Sequence, residues 1–514
     1  MNALVLDGSS LDLPAVERAA RDRPPVSIAP EALDRIARCA DWVARRVDRE
    51  DLPPVYGLNT GFGYLRNRII PPGEAARLSR NLIESHSAGV GDPLPPEVVR
   101  AAVLLRANTL CHGVSGVRPE TVRLLVEMLN RDIVPVVPSK GSVGASGDLS
   151  PLSHIALALS RRGDSDDPGP PVLHRGVLKP AAEAFAAEGL ERVVLGPKEG
   201  LALNNGMQVS AALLALSIAD AHTLLERALD ALALSYEAMC GMSAAFHPRL
   251  HELRPHPGQM WAAAELRKRL EGSALVDSRP QEVQDPYSLR CAPQVLGACR
   301  DVLETARRTV EIEFNSACDN PLLLPDGSGG YLPLSGGNFH GEPVGFAADS
   351  AKMAIAEIAS IAERWCALHV DPGFSRGLPA FLARKPGLHS GLMIAQYTAA
   401  ALVSENKVLA HPSTVDSIPT GAGYEDFVSM GSNAALHCYL VTENAASVVG
   451  IALFTAREAL RLRLETSHGF EPSPWSRAAM ETLDEIVPPF SEDRPIAGDF
   501  ERILRYVLPR RSKV

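Results

Sequence analysis

Four stretches of the chain keep apolar residues at helical spacing for longer than a surface helix needs: 208–239, 349–370, 390–411 and 433–463. Each is rich in Ala and Leu and free of internal Pro, so nothing interrupts the helical hydrogen-bond ladder. In 349–370, Ile355, Ile358, Ala362 and Trp365 recur at the period of one helix face. Helices this long, and apolar on more than one side, are buried by several neighbours and imply subunit contacts as well. The pattern predicts a mainly α fold, a large bundle of long central helices with a smaller mixed N-terminal part.

The first hundred or so residues lack that regularity. Short β-like pieces, NALVLDG at 2–8 and PPVSIAP at 24–30, alternate with a helical stretch over 31–47. The chain divides into an N-terminal mixed α/β part (1–115), a central helical bundle (116–470) and a C-terminal helical tail (471–514). Between the helices, 161–176 reads as an exposed connection, and 324–343 and 416–435 as turn-dense loops. Loops held between rigid helices are where functional side chains are expected.

Composition acts mainly by exclusion. The 514 residues are 46% hydrophobic but only 5% aromatic, which suits helical packing around a large core. A formal charge of -10 gives no electrostatic footprint for nucleic acid or an anionic membrane surface, and leaves a small-molecule substrate. The eight scattered cysteines form no CxxC pair and read as reduced, mostly buried thiols. No basic start with an apolar run opens the chain, and no run of about 18 uncharged apolar residues occurs, so a soluble cytoplasmic protein is expected. No metal is expected either: HExxH is absent, and the HxE at 340–342 has no PCxxC partner.

The segment with chemical potential is GSVGASGDLSPLSHIAL, at 141–157. It contains neither GxxxxGK[ST] nor a GxGxxG after a strand, so it is no phosphate cradle of those kinds. A hydrolase elbow, GxSxG, fails because Asp148 stands where the last Gly belongs. Two readings stay open. In the first, Ser150 is a helix N-cap and Pro151 the first helical residue, with ordinary chemistry. In the second, the Gly147 nitrogen closes on the Ala145 carbonyl carbon with loss of water, and the Ser146 side chain loses another. The product is a methylidene-imidazolone, a strong electrophile that needs no external cofactor. Gly147 and Ala145 are small enough to allow the approach. The helix that follows offers positive potential to developing negative charge.

GSVGASGDLSPLSH resembles the prosthetic-group motif of the aromatic amino acid lyases, the family of histidine, phenylalanine and tyrosine ammonia-lyases and related aminomutases. Similar motifs follow in order: VYGLNTGFG (55–63), NLIESHSAGVG (81–91), KEGLALNNGMQ (198–208), VQDPYSLRCAPQVLGA (283–298), EFNSACDNPL (313–322), SGGNFHGEPV (335–344) and YEDFVSMG (424–431). The resemblance implies elimination of ammonia from an aromatic L-amino acid by a methylidene-imidazolone formed from Ala145, Ser146 and Gly147. It also implies a homotetramer whose active sites draw on three subunits. Tyr56 is then the expected base, with Tyr287 second for proton transfer. A phenol with a pKa near 10 must be shifted down to act near neutrality. Arg290 is implied as the carboxylate clamp, because its planar guanidinium holds both oxygens at once. Asn205 and Gln284 are implied as amides at the prosthetic ring or substrate, and Phe339 as a pocket wall. A silent helical scaffold would not require this set.

Within the family, the resemblance runs nearest to the histidine lyases. Ser85-His86 is similar to their pair, where tyrosine lyases typically carry His-Leu and phenylalanine lyases Phe-Leu, and Glu425 matches their glutamate. An imidazole has a donor and an acceptor that a histidine and a carboxylate satisfy, whereas a phenyl leaves each unpaired at about 1–3 kcal/mol. The expected reaction is therefore L-histidine to trans-urocanate. The chain departs from that pattern around Glu425, reading Gly423-Tyr424-Glu425-Asp426-Phe427 where histidine lyases read Asn-Gln-Glu-Asp-His. Tyr424 and Phe427, with Asn204 where Leu is usual, keep a tyrosine, phenylalanine or hydroxylated substrate open, with lyase or aminomutase outcome.

Overall fold

Three helices form the centre of the molecule: Gln208–Ala238, Glu342–Val370 and Gly431–Thr466, each packed on the other two. Their contact faces are dominated by Ala, Leu, Val and Ile, small or branched side chains that let helix axes approach and interdigitate. The computed structural model describes residues 3–47, 49, 52–163, 166–467 and 469–509. Residues 164–165 of the 161–176 connection and 510–514 of the C-terminal tail lie outside the described residues. The described residues are 57% helical and form 18 α-helices beside a few two- and three-stranded sheets.

The expected long helices occur, with shifted ends. Ile355, Ile358, Ala362 and Trp365 are fully buried along one face of Glu342–Val370, which begins before residue 349 because Pro343 suits the first turn of a helix. The 390–411 stretch corrects the expectation of burial on several sides. It folds as Met393–Leu409, but only Ala395, Ala399 and Asn406 are buried, while Ile394, Tyr397 and Val408 face outward. One further long helix, Ala292–Phe314, escaped the apolar pattern because it buries a single face, Leu296, Leu303 and Val310 among it, and is charged elsewhere. By length and composition, Gln208–Ala238 and Gly431–Thr466 would also pass for membrane spans, but most of their surface is packed inside the protein.

The N-terminal part pairs Leu4–Leu6 with Val26–Ile28 in parallel and continues into the helix Pro30–Arg46, matching the β-like and helical pieces read there. The 324–343 loop corrects in part: Leu322–Pro325 and Tyr331–Leu334 form an antiparallel hairpin. No cysteine is in a disulfide, and all except Cys291 are buried.

The helix Leu149–Leu159 packs on Ala75–His86, Glu199–Asn204 and Gln208–Ala238, bringing the 144–147 turn against the 205–207 turn. Ser150 is not its N-cap. That position belongs to Asp148, and Ser150 lies inside the first turn with its hydroxyl buried and without a partner among the described residues.

Candidate active site

The 144–147 turn is held from all sides. Gly147 sits at φ +80°, and a Cβ there would lie 2.4 Å from the Gly206 carbonyl oxygen, so only glycine fits. The Asp148 N–H donates to that oxygen at 2.7 Å. The Ser146 carbonyl accepts a 2.6 Å bond from Asn205 Nδ2. Ser142 Oγ donates to the Gly147 carbonyl, and Ser429 Oγ to that of Gly144, each at 3.1 Å.

Beneath the turn lies a residue that sequence reasoning missed. Asp148 is fully buried and accepts 2.7 Å bonds from Ser210 N–H, Ser210 Oγ and Ser432 Oγ. Burial pushes its carboxyl above the usual range, while these bonds pull it down. The available signal was an aspartate at the head of an apolar helix, a position where burial demands partners.

Above the turn, the Ser146 hydroxyl donates to Glu425 Oε1 at 2.7 Å, and Thr420 Oγ1 donates to Oε2 at 2.6 Å. His86, the last residue of Ala75–His86, carries Ser85 Oγ 3.0 Å from its Nδ1. Burial lowers its pKa, against the pull of Glu425, so the ring is neutral near pH 7. Tyr56 accepts a 3.0 Å bond from the Gly63 N–H. Its phenol departs from the downward shift expected of a base: burial raises its pKa, and Glu425 and Tyr424 push the same way, against Gly63 N–H and Arg66.

The residues that break the histidine-lyase pattern have local partners. Asn204 donates to Ser153 Oγ at 3.1 Å, inside the helix packing. Phe427 stacks on His340 with ring centroids 6.4 Å apart. The half-exposed Tyr424 ring lies under the guanidinium of Arg66, 4.0 Å from Cζ to the ring centroid. Arg66 is a second residue that sequence reasoning missed, since an arginine in a loop carries no local mark of its partner.

The single chain brings together Tyr56, His86, Ala145, Ser146, Gly147, Asn205, Tyr424 and Glu425; Phe339 is half-buried, and it is its neighbour His340 that stacks on Phe427. Gln284, Tyr287 and Arg290 stay apart. Gln284 is exposed, Tyr287 is 71% exposed, and Arg290 covers the Tyr287 ring at 4.5 Å while its Nε donates to the Asp285 carbonyl. Among the described residues, no hydrogen bond, ion pair or ring contact joins these three to the Ser146 group.

The family profile described as "Aromatic amino acid lyase" matches residues 11–485. Histidine ammonia-lyase of Gloeobacter violaceus is 47% identical over 503 residues, which is 98% of this chain and 95% of that protein. The crystal structure of histidine ammonia-lyase from Trypanosoma cruzi superimposes with a TM-score of 0.87 at 38% identity, covering 98% of this chain and 93% of that one. Tyrosine aminomutase from Streptomyces globisporus gives 0.91 at 34% identity, covering 99% and 97%.

Proposed function

The chain belongs to the aromatic amino acid lyase family and is a carbon-nitrogen lyase, and from that premise we propose that it eliminates ammonia from L-histidine to give trans-urocanate. The observation that carries this reading is the Glu425 carboxylate, held 2.7 Å from the Ser146 hydroxyl with the neutral His86 within its electrostatic reach. The pair offers an imidazole both polar edges that it needs satisfied.

The residues around Ser146 fit a methylidene-imidazolone made from Ala145, Ser146 and Gly147. The Ser146 carbonyl, which would become the ring oxygen, already accepts from Asn205 Nδ2, and Gly147 has no Cβ to obstruct closure. Asn205 Oδ1 is buried and has no partner among the described residues, so the amide keeps an acceptor free. When formed, the group supplies an electrophile for the amine.

The chain's own side chains do the rest. Asn205 fixes the oxygen, Glu425 and His86 orient the imidazole ring, and Tyr56 takes the β-proton on its phenolic oxygen. To act so, Tyr56 must first be a phenolate, which the Gly63 N–H stabilises, and accepting the proton returns it to the phenol. Burial alone works against Tyr56, so its acidity depends on positive charge brought near it.

Gln284, Tyr287, Arg290 and the outward apolar side chains of Met393–Leu409 find their use in a homotetramer, where neighbouring copies supply the carboxylate clamp and the second tyrosine. A cytoplasmic location accords with this reading. A phenolic substrate would be favoured if Tyr424 presented its ring to it, but that ring is engaged by Arg66. The purified protein, offered histidine, phenylalanine and tyrosine, is expected to give a urocanate absorbance rise with histidine at the highest kcat/KM. Preference for either of the others would overturn the assignment.

A further inference from the structure

Two loops carry the proposed base and the glutamate, and they meet at one side-chain pair. Arg66 ends the 3-10 turn Gly63–Leu65, with its N–H bonded to the Gly63 carbonyl, and the Gly63 N–H is the donor to the Tyr56 hydroxyl. Tyr424 ends the turn Gly421–Gly423 in the same way, through the Gly421 carbonyl, and precedes Glu425. Tyr64, Leu65 and residues 421–424 are exposed, so little apolar burial holds these turns. Among the described residues, no hydrogen bond or ion pair links the two loops; the link is the Arg66 guanidinium on the Tyr424 ring, at 4.0 Å.

We propose that Arg66 and Tyr424 form a clasp that holds the Tyr56 loop against the Ser146 turn, making Arg66 a positioning residue for Tyr56. This rests on the reading of Tyr56 as base. A planar cation lies well on the face of a phenol ring, and the stack fixes the spacing between the two turns without any backbone bond. Tightening it carries Tyr56 along through Gly63, and Glu425 through Tyr424, so one contact sets the distance between proton acceptor and ring-binding carboxylate. The clasp has an electrostatic effect as well. The groups facing Tyr56 are Glu425 and Tyr424, which disfavour its phenolate, and the Gly63 N–H and Arg66, which favour it. Arg66 is the cation of that set. The departure at Tyr424 from the histidine-lyase pattern is then paired with Arg66 and needs no change of substrate.

The test uses the full-length enzyme with histidine, comparing Arg66→Ala, Arg66→Lys, Tyr424→Leu and the double variant Arg66→Ala/Tyr424→Leu. A misplaced base costs chemistry more than binding, so Arg66→Ala is expected to lose roughly 10- to 100-fold in kcat with little change in KM. The acidic limb of its kcat profile should move to higher pH. Arg66→Lys keeps the charge but stacks less well, and should restore the limb while recovering only part of kcat. Tyr424→Leu breaks the clasp from the other side and carries the same kcat test if Arg66→Ala does not fold. The double variant should be no slower than the slower single one. Losses that multiply in the double variant, or a wild-type kcat and acidic limb in Arg66→Ala, would overturn the clasp. A wild-type enzyme inactive on every aromatic amino acid would instead sink the functional reading, and a Tyr56→Phe variant that keeps the wild-type acidic limb would sink the base assignment.

Discussion

The Ser146 hydroxyl donates a 2.7 Å hydrogen bond to the carboxylate of Glu425, 279 positions further along the chain. A hydroxyl that must depart as water is aided by a group able to deliver a proton to it, and a carboxyl is such a group once it has taken one up. On the proposed reading the same carboxylate oxygen, freed once the hydroxyl has gone, would be open to a substrate ring.

Ser146→Ala removes the hydroxyl without altering the backbone of the turn. Turnover is expected to fall to background, with thermal unfolding close to wild type. Intact mass spectrometry should find the wild-type chain lighter than its encoded mass by two waters. A wild-type chain at full encoded mass would refute the electrophile assignment.

Glu425→Gln keeps the shape and removes the charge. Hydrogen bonds to charged groups contribute about 1.5–3 kcal/mol, so kcat/KM for histidine should drop roughly 10- to 150-fold. Because this variant also tests ring formation, its mass is measured beside its rate: a correctly dehydrated chain with unchanged histidine kinetics would remove Glu425 from substrate recognition.

His86→Leu exchanges a neutral imidazole for an apolar side chain at the end of Ala75–His86. The ratio of kcat/KM for histidine to that for phenylalanine should fall by at least ~10-fold, the effect of one lost buried hydrogen bond. Equal losses on both substrates would show that His86 does not read the ring.

Glu313 predicts a pH dependence of stability. Burial, reinforced by Asp148 and opposed by Arg106, pushes its carboxyl up from 4.5 to about 7, and its Oε1 has no hydrogen-bond partner among the described residues. The folded state therefore holds this proton more tightly than the unfolded chain. The resulting stabilisation is complete below pH 4.5 and is lost as pH rises through 7. The change is on the order of 3 kcal/mol. Glu313→Gln should melt higher than wild type at pH 8 but not at pH 4.5; the same difference in melting temperature at both would dismiss the effect.

Much of the fold was legible because helical periodicity is local. Ile355, Ile358, Ala362 and Trp365 declare one buried face within eleven residues, and they are buried. Met393–Leu409 shows the limit of that reading, since an apolar face announces that it wants cover without saying whether the same chain provides it. Ser150 shows another: its place before Pro151 suits an N-cap, but Asp148 takes that position, with its carboxylate bonded to Ser210 and Ser432 far along the chain.

The sequence by itself determined the long helices and the small-residue turn in which Ser146 lies, because both follow from side-chain size and spacing between near neighbours. Its resemblance to a known family named the other participants. Only the tertiary structure decided that Glu425 meets Ser146, that Asn205 holds the Ser146 carbonyl, that Asp148 lies in a nest of serines and that Arg66 covers Tyr424. Those contacts join residues tens to hundreds of positions apart, and a contact made by chain folding leaves no periodic trace in the residues that make it.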